Sequence, residues 1–184
     1  MKSFKKDLIS ASLILVAIFS GILQGNSQTT LTLDPTKSWV GYVNVFDLPS
    51  AGGGYEFGSA WGTEALTAYY DTATPPYNTL TLTANTNTYN PTDPYWVNPD
   101  GSGNKTVDAS YYIQDDTLEG QTLTFSGICL SNTFVSPYTS TVFIKEFDGS
   151  YNLINSAVTT AVSGQPFSIT LATGAGSHIQ YGFE

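Results

Sequence analysis

At 184 residues, 41% hydrophobic and 14% aromatic, the chain is long enough for one packed core and short for two domains. Only 11% of residues are charged, all six basic residues are lysines, and 15 carboxylates set a formal charge of -9. That balance excludes a coiled coil or charge-laced helical bundle, and it excludes nucleic acid as a partner, because neutralising phosphate takes clustered Lys and Arg.

The first element is an export signal. Lys2, Lys5 and Lys6 precede an apolar run over residues 8–22, broken only by Ser10, Ser12, Ser20 and Gly21. A membrane span needs about 20 apolar residues, whereas signal peptides have a shorter run ending in small residues. Gly25 and Ser27 stand third and first before a cut that leaves Gln28 as the new amino terminus. Residues 1–27 therefore read as a signal peptide and residues 28–184 as a single secreted domain with no membrane span. The mature chain keeps Lys37, Lys105 and Lys145 against 14 carboxylates, a net charge of -11 that favours solubility. Cys129 is the sole thiol, so no internal disulfide forms, and it reads as a small buried hydrophobe between Ile128 and Leu130.

Beyond the signal, no stretch sustains helical spacing, and 17 glycines and nine prolines interrupt the chain. Period-two alternation instead predicts about ten strands: residues 30–33, 39–46, 66–70, 79–83, 106–113, 122–130, 139–147, 152–159, 167–171 and 179–183. Ten short strands at this spacing define an all-β fold, a sandwich or a barrel. Asp100-Gly101, Glu119-Gly120, Asp148-Gly149 and Ser163-Gly164 supply turns. The apolar parity of residues 123–130 changes after Gly127, which predicts a bulge or a crossing between sheets.

Residues 85–104 form the least strand-like stretch, a long Asn- and Pro-rich loop carrying Tyr89, Tyr95 and Trp96. Loops of this length are functional or disordered, and the aromatic content argues for order. Flat rings beside amide side chains suit a sugar, whose C–H faces stack on the rings while its hydroxyls take hydrogen bonds. Tyr89, Tyr95 and Trp96, with Trp61 in its glycine-flanked segment, are the candidate ligand-binding residues, with a local loop core as the other role for Trp96, since large aromatics commonly hold long loops together; a neutral polysaccharide or glycan is the expected partner.

The segments Trp39-Val40-Gly41-Tyr42-Val43-Asn44-Val45-Phe46, Phe57-Gly58-Ser59-Ala60-Trp61-Gly62, Gly120-Gln121-Thr122-Leu123-Thr124-Phe125-Ser126-Gly127, Phe143-Ile144-Lys145 and Ile179-Gln180-Tyr181-Gly182-Phe183 resemble those of exported bacterial β-sandwich proteins from marine and environmental sources. More distantly, the Gly120 to Gly127 segment is similar to the galactose-binding-like jelly rolls of carbohydrate-binding modules. The resemblance covers most of the mature chain and implies a fold, an antiparallel β-sandwich of jelly-roll type, and not a chemistry. Such proteins run on past the equivalent of Phe183 into a further strand, so the resemblance implies either an unclosed sheet edge at the carboxy terminus or a shortened product.

Catalysis has little to draw on. One His, one Cys and no Arg cannot assemble the usual acyl- or phosphoryl-transfer constellations. Glycoside hydrolysis needs only two carboxylates, and Glu146 and Asp148 are the candidate pair, although Asp148-Gly149 also reads as a hairpin corner. His178 should face solvent while Ile179, Tyr181 and Phe183 face the core. Asp100, Ser102 and Asn104 alternate in a glycine-rich loop, part of the pattern by which loops wrap calcium, and ordinary turn chemistry accounts for the same residues. The chain thus reads as a non-catalytic secreted module without a cofactor, apart from the option of a structural calcium. The alternative is an extracellular structural or adhesive protein acting through self-association or a surface partner.

Overall fold

The computed structural model describes residues 27–65, 68–76, 78–83 and 90–184. Residues 1–26, which hold most of the expected signal peptide, and Tyr89 lie outside the described residues. Eleven strands appear, β1 (Gln28–Leu31), β2 (Val40–Asp47), β3 (Tyr55–Ala60), β4 (Ala68–Asp71), β5 (Thr79–Leu82), β6 (Lys105–Gln114), β7 (Thr122–Cys129), β8 (Thr141–Phe147), β9 (Leu153–Thr160), β10 (Gln165–Ala172) and β11 (His178–Phe183). Among the described residues helix is confined to one turn at Gly62–Ala65 and two 3-10 turns.

Two sheets form a β-sandwich: three strands in the order β1-β7-β10 and six in the order β3-β2-β6-β11-β8-β9. A separate β4–β5 hairpin completes the architecture. Alternation selects the core. Leu123 and Phe125 of β7 and Ile169 and Leu171 of β10 point inward and meet Val142 and Ile144 of β8, Ile179 and Tyr181 of β11 and Ile113 of β6. Phe125, fully buried, packs edge-on against Phe167, Tyr181 and Phe183 at centroid distances of 5.4–5.7 Å.

The three-stranded sheet covers only part of the inner face of its larger neighbour. Over β2 and the adjoining stretch of β6, a second cluster forms around Val43, Val45 and Tyr111, roofed by Phe57, Trp61, Tyr70, Leu80, Tyr95 and Trp96. Trp39 packs against both clusters.

Four expectations need correction. The sandwich is not wholly antiparallel, since β1 runs parallel to β7 from Gln28↔Thr122 to Leu31↔Phe125. Gly127 marks no bulge, because β7 pairs with β10 in unbroken register; a Cβ there would stand 2.7 Å from the Phe167 ring, so the glycine makes room for that ring and Ile128 simply faces outward. Cys129 is half-buried, not sealed, with its thiol 3.6 Å from the Ser131 carbonyl and with Ile128 and Leu130 exposed beside it. The carboxy-terminal strand leaves no open edge, because β11 lies in the middle of the six-stranded sheet between β6 and β8.

The polar side chain most engaged in fixing the sheet ends is the buried Thr173, just past β10. Its hydroxyl lies 3.0 Å from the Leu118 carbonyl, 3.1 Å from the Gln121 carbonyl and 3.1 Å from the Gln121 N–H, which donates to it. Thr173→Val keeps the shape and removes these bonds, so unfolding free energy should fall by about 1–3 kcal/mol in a urea titration.

Candidate functional site

The outward positions of the six-stranded sheet are not those of a simple solvated face. The same alternation that sends Val43 and Val45 inward turns Tyr42 and Asn44 outward. On β6 the outward set is Asp108, Ser110, Tyr112 and Gln114; on β11 it is Gln180 and Gly182, followed by Glu184; on β8 it is Phe143, Lys145 and Phe147. Apart from Asp108 and Gly182, these residues line, together with Tyr151 and Leu153, an open cleft of about 520 Å³. Among the described residues neither apolar cluster reaches this face.

Glycines shape the cleft. A Cβ on Gly58 of β3 would fall 2.4 Å from the Tyr42 hydroxyl, so this glycine lets the Tyr42 ring lie across the sheet. Gly182 stands between Gln180 and Glu184 and lets β6 approach closely, as strand glycines do where backbones meet.

Hydrogen bonds orient the amides. The Gln180 side chain, 8% exposed, donates from Nε2 to Gln114 Oε1 at 3.1 Å, and Gln114 Nε2 donates to the Tyr151 hydroxyl at 3.0 Å. At that end the Tyr151 ring stacks on His178 at 4.3 Å and 11°, while His178 Nδ1 lies 2.8 Å from Asp116 Oδ2. Tyr151 reaches this position through a left-handed φ of 61°, a strained conformation for a non-glycine residue. Asp148 holds the strain: its Oδ1 accepts from the N–H groups of Ser150 (2.8 Å) and Asn152 (2.9 Å).

The charges of the cleft largely answer one another. Lys145 pairs with Glu184 and its ammonium lies 4.4 Å from the centre of the Phe143 ring. Ser110 Oγ donates to the same Glu184 carboxylate at 3.5 Å. Burial pushes the Asp108 carboxyl above the ordinary carboxylate range, and the Glu184 charge adds to the rise against the opposing pull of Lys145 and Asn44. Burial also raises the Tyr112 hydroxyl, which therefore stays a neutral donor at physiological pH. The surface combines phenols, amides and half-covered rings, with its one ammonium already engaged.

The loop aromatics have a different setting. Tyr95, Trp96 and Trp61 are half-buried and pack with Phe57 over Val43 and Val45. Trp96 meets Trp61 at 5.9 Å and 71°, and Tyr95 at 4.8 Å and 84°. Edge-to-face rings hold a loop down and present no coplanar platform. Trp61 and Trp96 do wall, with Ala60 and Ala65, a shallow hollow of about 420 Å³. Lys105 fixes this region to the sheet through Asp47 at 2.6 Å and Glu56 at 3.0 Å, with its ammonium 4.9 Å from the Tyr95 ring centre.

The remaining candidates fall into turn and packing roles. Asp100 Oδ1 accepts from the Ser102 N–H (2.9 Å) and hydroxyl (2.7 Å), and Asn104 Nδ2 donates to the carbonyls of Pro94 and Tyr95, at 3.1 and 3.2 Å. Among the described residues no three His, Cys, Asp or Glu side chains gather as a metal site. Glu146 and Asp148 do not share a groove. Glu146 is 3% exposed on the core side, accepting from the Gly174 N–H at 2.6 Å, and Asp148 builds the hairpin corner. The cause is a register shift between Glu146 and Phe147, which ends the strand before Asp148.

Fold and cleft together define a two-sheet β-sandwich with an aromatic- and amide-lined outer face. No family model, no curated protein and no solved structure matches the chain. Among the described residues no helix is long and apolar enough to cross a membrane.

Proposed function

We propose that this protein is a secreted, non-catalytic receptor for a neutral glycan, and that the glycan lies across the outer face of the six-stranded sheet. One observation carries the proposal: an open 520 Å³ cleft lined by Tyr42, Tyr112, Phe147 and Tyr151 beside the amides of Asn44, Gln114 and Gln180. Aromatic faces take the C–H surfaces of a sugar, and amides fixed by their neighbours meet its hydroxyls at low entropic cost. The Lys145–Glu184 pair leaves no unanswered ammonium to favour an acidic polymer. The distant resemblance of the Gly120 to Gly127 segment to galactose-binding-like jelly rolls is in line with the same reading, as is the secretory pattern of residues 1–27. The site differs from the one expected of the loop: Tyr95, Trp96 and Trp61 stiffen the scaffold, and the sheet does the binding.

Affinity electrophoresis through gels holding neutral polysaccharides tests this. Wild type should be retarded by at least one polymer, and Tyr112→Ala and Tyr42→Ala should each weaken binding about tenfold, as expected for loss of a stacking ring worth roughly 1–1.5 kcal/mol. Trp96→Ala should leave retardation unchanged. Absence of retardation with every polymer, or retardation indifferent to both tyrosines, defeats the proposal.

A further inference from the structure

Among the described residues the two larger sheets have four edge strands, and three carry a device against pairing with another chain. β1 is only four residues long, β10 carries Pro166, and β3 carries Glu56, tied to Lys105, with Gly58 after it. β9 is the exception: Leu-Ile-Asn-Ser-Ala-Val-Thr-Thr has no charge, no proline and no glycine over eight residues. Its Leu153, Ile154 and Val158 side chains are 55, 58 and 49% exposed. Asn155 covers the first half of the edge, taking the Ser156 N–H on its Oδ1 and reaching the Ala172 carbonyl of β10. Among the described residues no side chain hydrogen-bonds the backbone of residues 157–160.

We infer that β9 is a self-association edge, and that a second copy of this chain adds to it antiparallel through residues 156–160, about a two-fold axis perpendicular to the sheet near Val158. Charge selects the occupant. On a chain of net charge -9, like copies repel almost everywhere, yet residues 149–177 carry no charged side chain at all. A basic partner finds no carboxylate on β9, whereas a second β9 meets this one without like-charge opposition. An antiparallel strand facing its own symmetry mate is also self-complementary, as a two-fold interface requires.

The pairing would make one continuous sheet of two six-stranded halves. Both outer clefts would then open on the same side. Dimerisation does not depend on the glycan proposal, but its consequence for avidity does: two clefts on one face can engage one polymer chain together, which strengthens retention without a new contact.

Sedimentation velocity of the mature chain over a wide concentration range is the test. Wild type should sediment faster as concentration rises, toward a dimer. Val158→Lys, which sets two ammonium groups opposite each other at the axis, and Thr160→Lys, further along the edge, should both stay monomeric with unchanged far-ultraviolet circular dichroism. A wild type that is monomeric at every concentration overturns the inference, and so does a dimer that both lysine variants leave intact. Failure to bind any polysaccharide would remove the glycan proposal and leave the sedimentation result standing.

Discussion

Gly182→Ala should prevent the protein from folding stably, with a loss of at least ~3 kcal/mol in a denaturant titration, the range of severe overpacking. The added Cβ would sit 2.2 Å from the Tyr111 carbonyl oxygen and 2.6 Å from the Tyr112 Cα. Both are backbone atoms of β6, so no rotamer change relieves the clash. Position matters as much as distance. Gly182 pairs with Tyr112 on one side and Phe143 on the other, in the strand on which the six-stranded sheet is centred. Moving β11 away from β6 disturbs Tyr181 in the main core and Gln180 in the cleft together. Gly149→Ala is the control, since nothing lies within 4 Å of a Cβ there, and it should change stability by less than about 0.5 kcal/mol. A folded Gly182→Ala protein within 1 kcal/mol of wild type would show that the two strands separate far more readily than their packing suggests.

The contrast between these glycines shows what the sequence could and could not reveal. Period-two alternation was enough for β2, β6, β7, β8 and β11, because the inward residues of each recur at every second position, although β8 and β11 also bury Phe143 and Gln180 on the other face. β3 escaped notice: Tyr55 follows Gly52-Gly53-Gly54 and the strand contains Gly58, so it has the composition of a loop. Gly58 and Gly182 have a role only once Tyr42 and Tyr111 are seen beside them, and those contacts join distant parts of the chain. The position of β11 was equally out of reach, since nothing local to residues 178–183 states which strands flank them. The parallel β1 is a four-residue strand whose partner lies some ninety residues away.

The cleft was the least legible feature for the same reason. Its lining comes from β2, β6, β8 and β11 with the turn into β9, and no single segment contains enough of it to form a motif. One signal was present. In Tyr42-Val43-Asn44-Val45 and in Ser110-Tyr111-Tyr112-Ile113-Gln114, the outward residues apart from Ser110 are phenols and amides, where an ordinary solvated strand carries Thr and Ser. β7 and β10 show the ordinary case, with Thr122, Thr124, Ser168 and Thr170 facing water. Comparing the outward residues of each strand, and not only the inward ones, separates the cleft face from the plain face. The loop at residues 85–104 attracted attention because aromatic residues stand out in a polar stretch. Of those rings, Tyr95 and Trp96 pack on the cluster around Val43 and Val45, which the three-stranded sheet does not cover.

Trp39 joins those two cores, and Trp39→Ala should therefore cost about 3 kcal/mol or more, toward the upper range for truncating a large aromatic. Its ring stacks on Tyr111 at 4.8 Å and 7°, lies 5.9 Å from Tyr70 and 6.4 Å from Phe183, and its indole N–H donates to the Asp34 carbonyl at 2.9 Å. Tyr111 belongs to the cluster under the loop, whereas Phe183 packs on the cluster between the sheets. Removing the indole opens a void between the clusters and unties the segment that leads from β1 into β2. Trp39→Phe should recover most of the loss, because a ring remains against Tyr111, and should fall short by about 1 kcal/mol for the missing N–H bond. Hydrogen exchange distinguishes the consequences. If Trp39 couples the clusters, its truncation raises exchange in β2 and β6 as well as in β7 and β11, in one cooperative unit. Faster exchange confined to β2 and the neighbouring strands would mean that the two cores fold independently, and that the scaffold of the cleft is held by the β6–β11–β8 half alone.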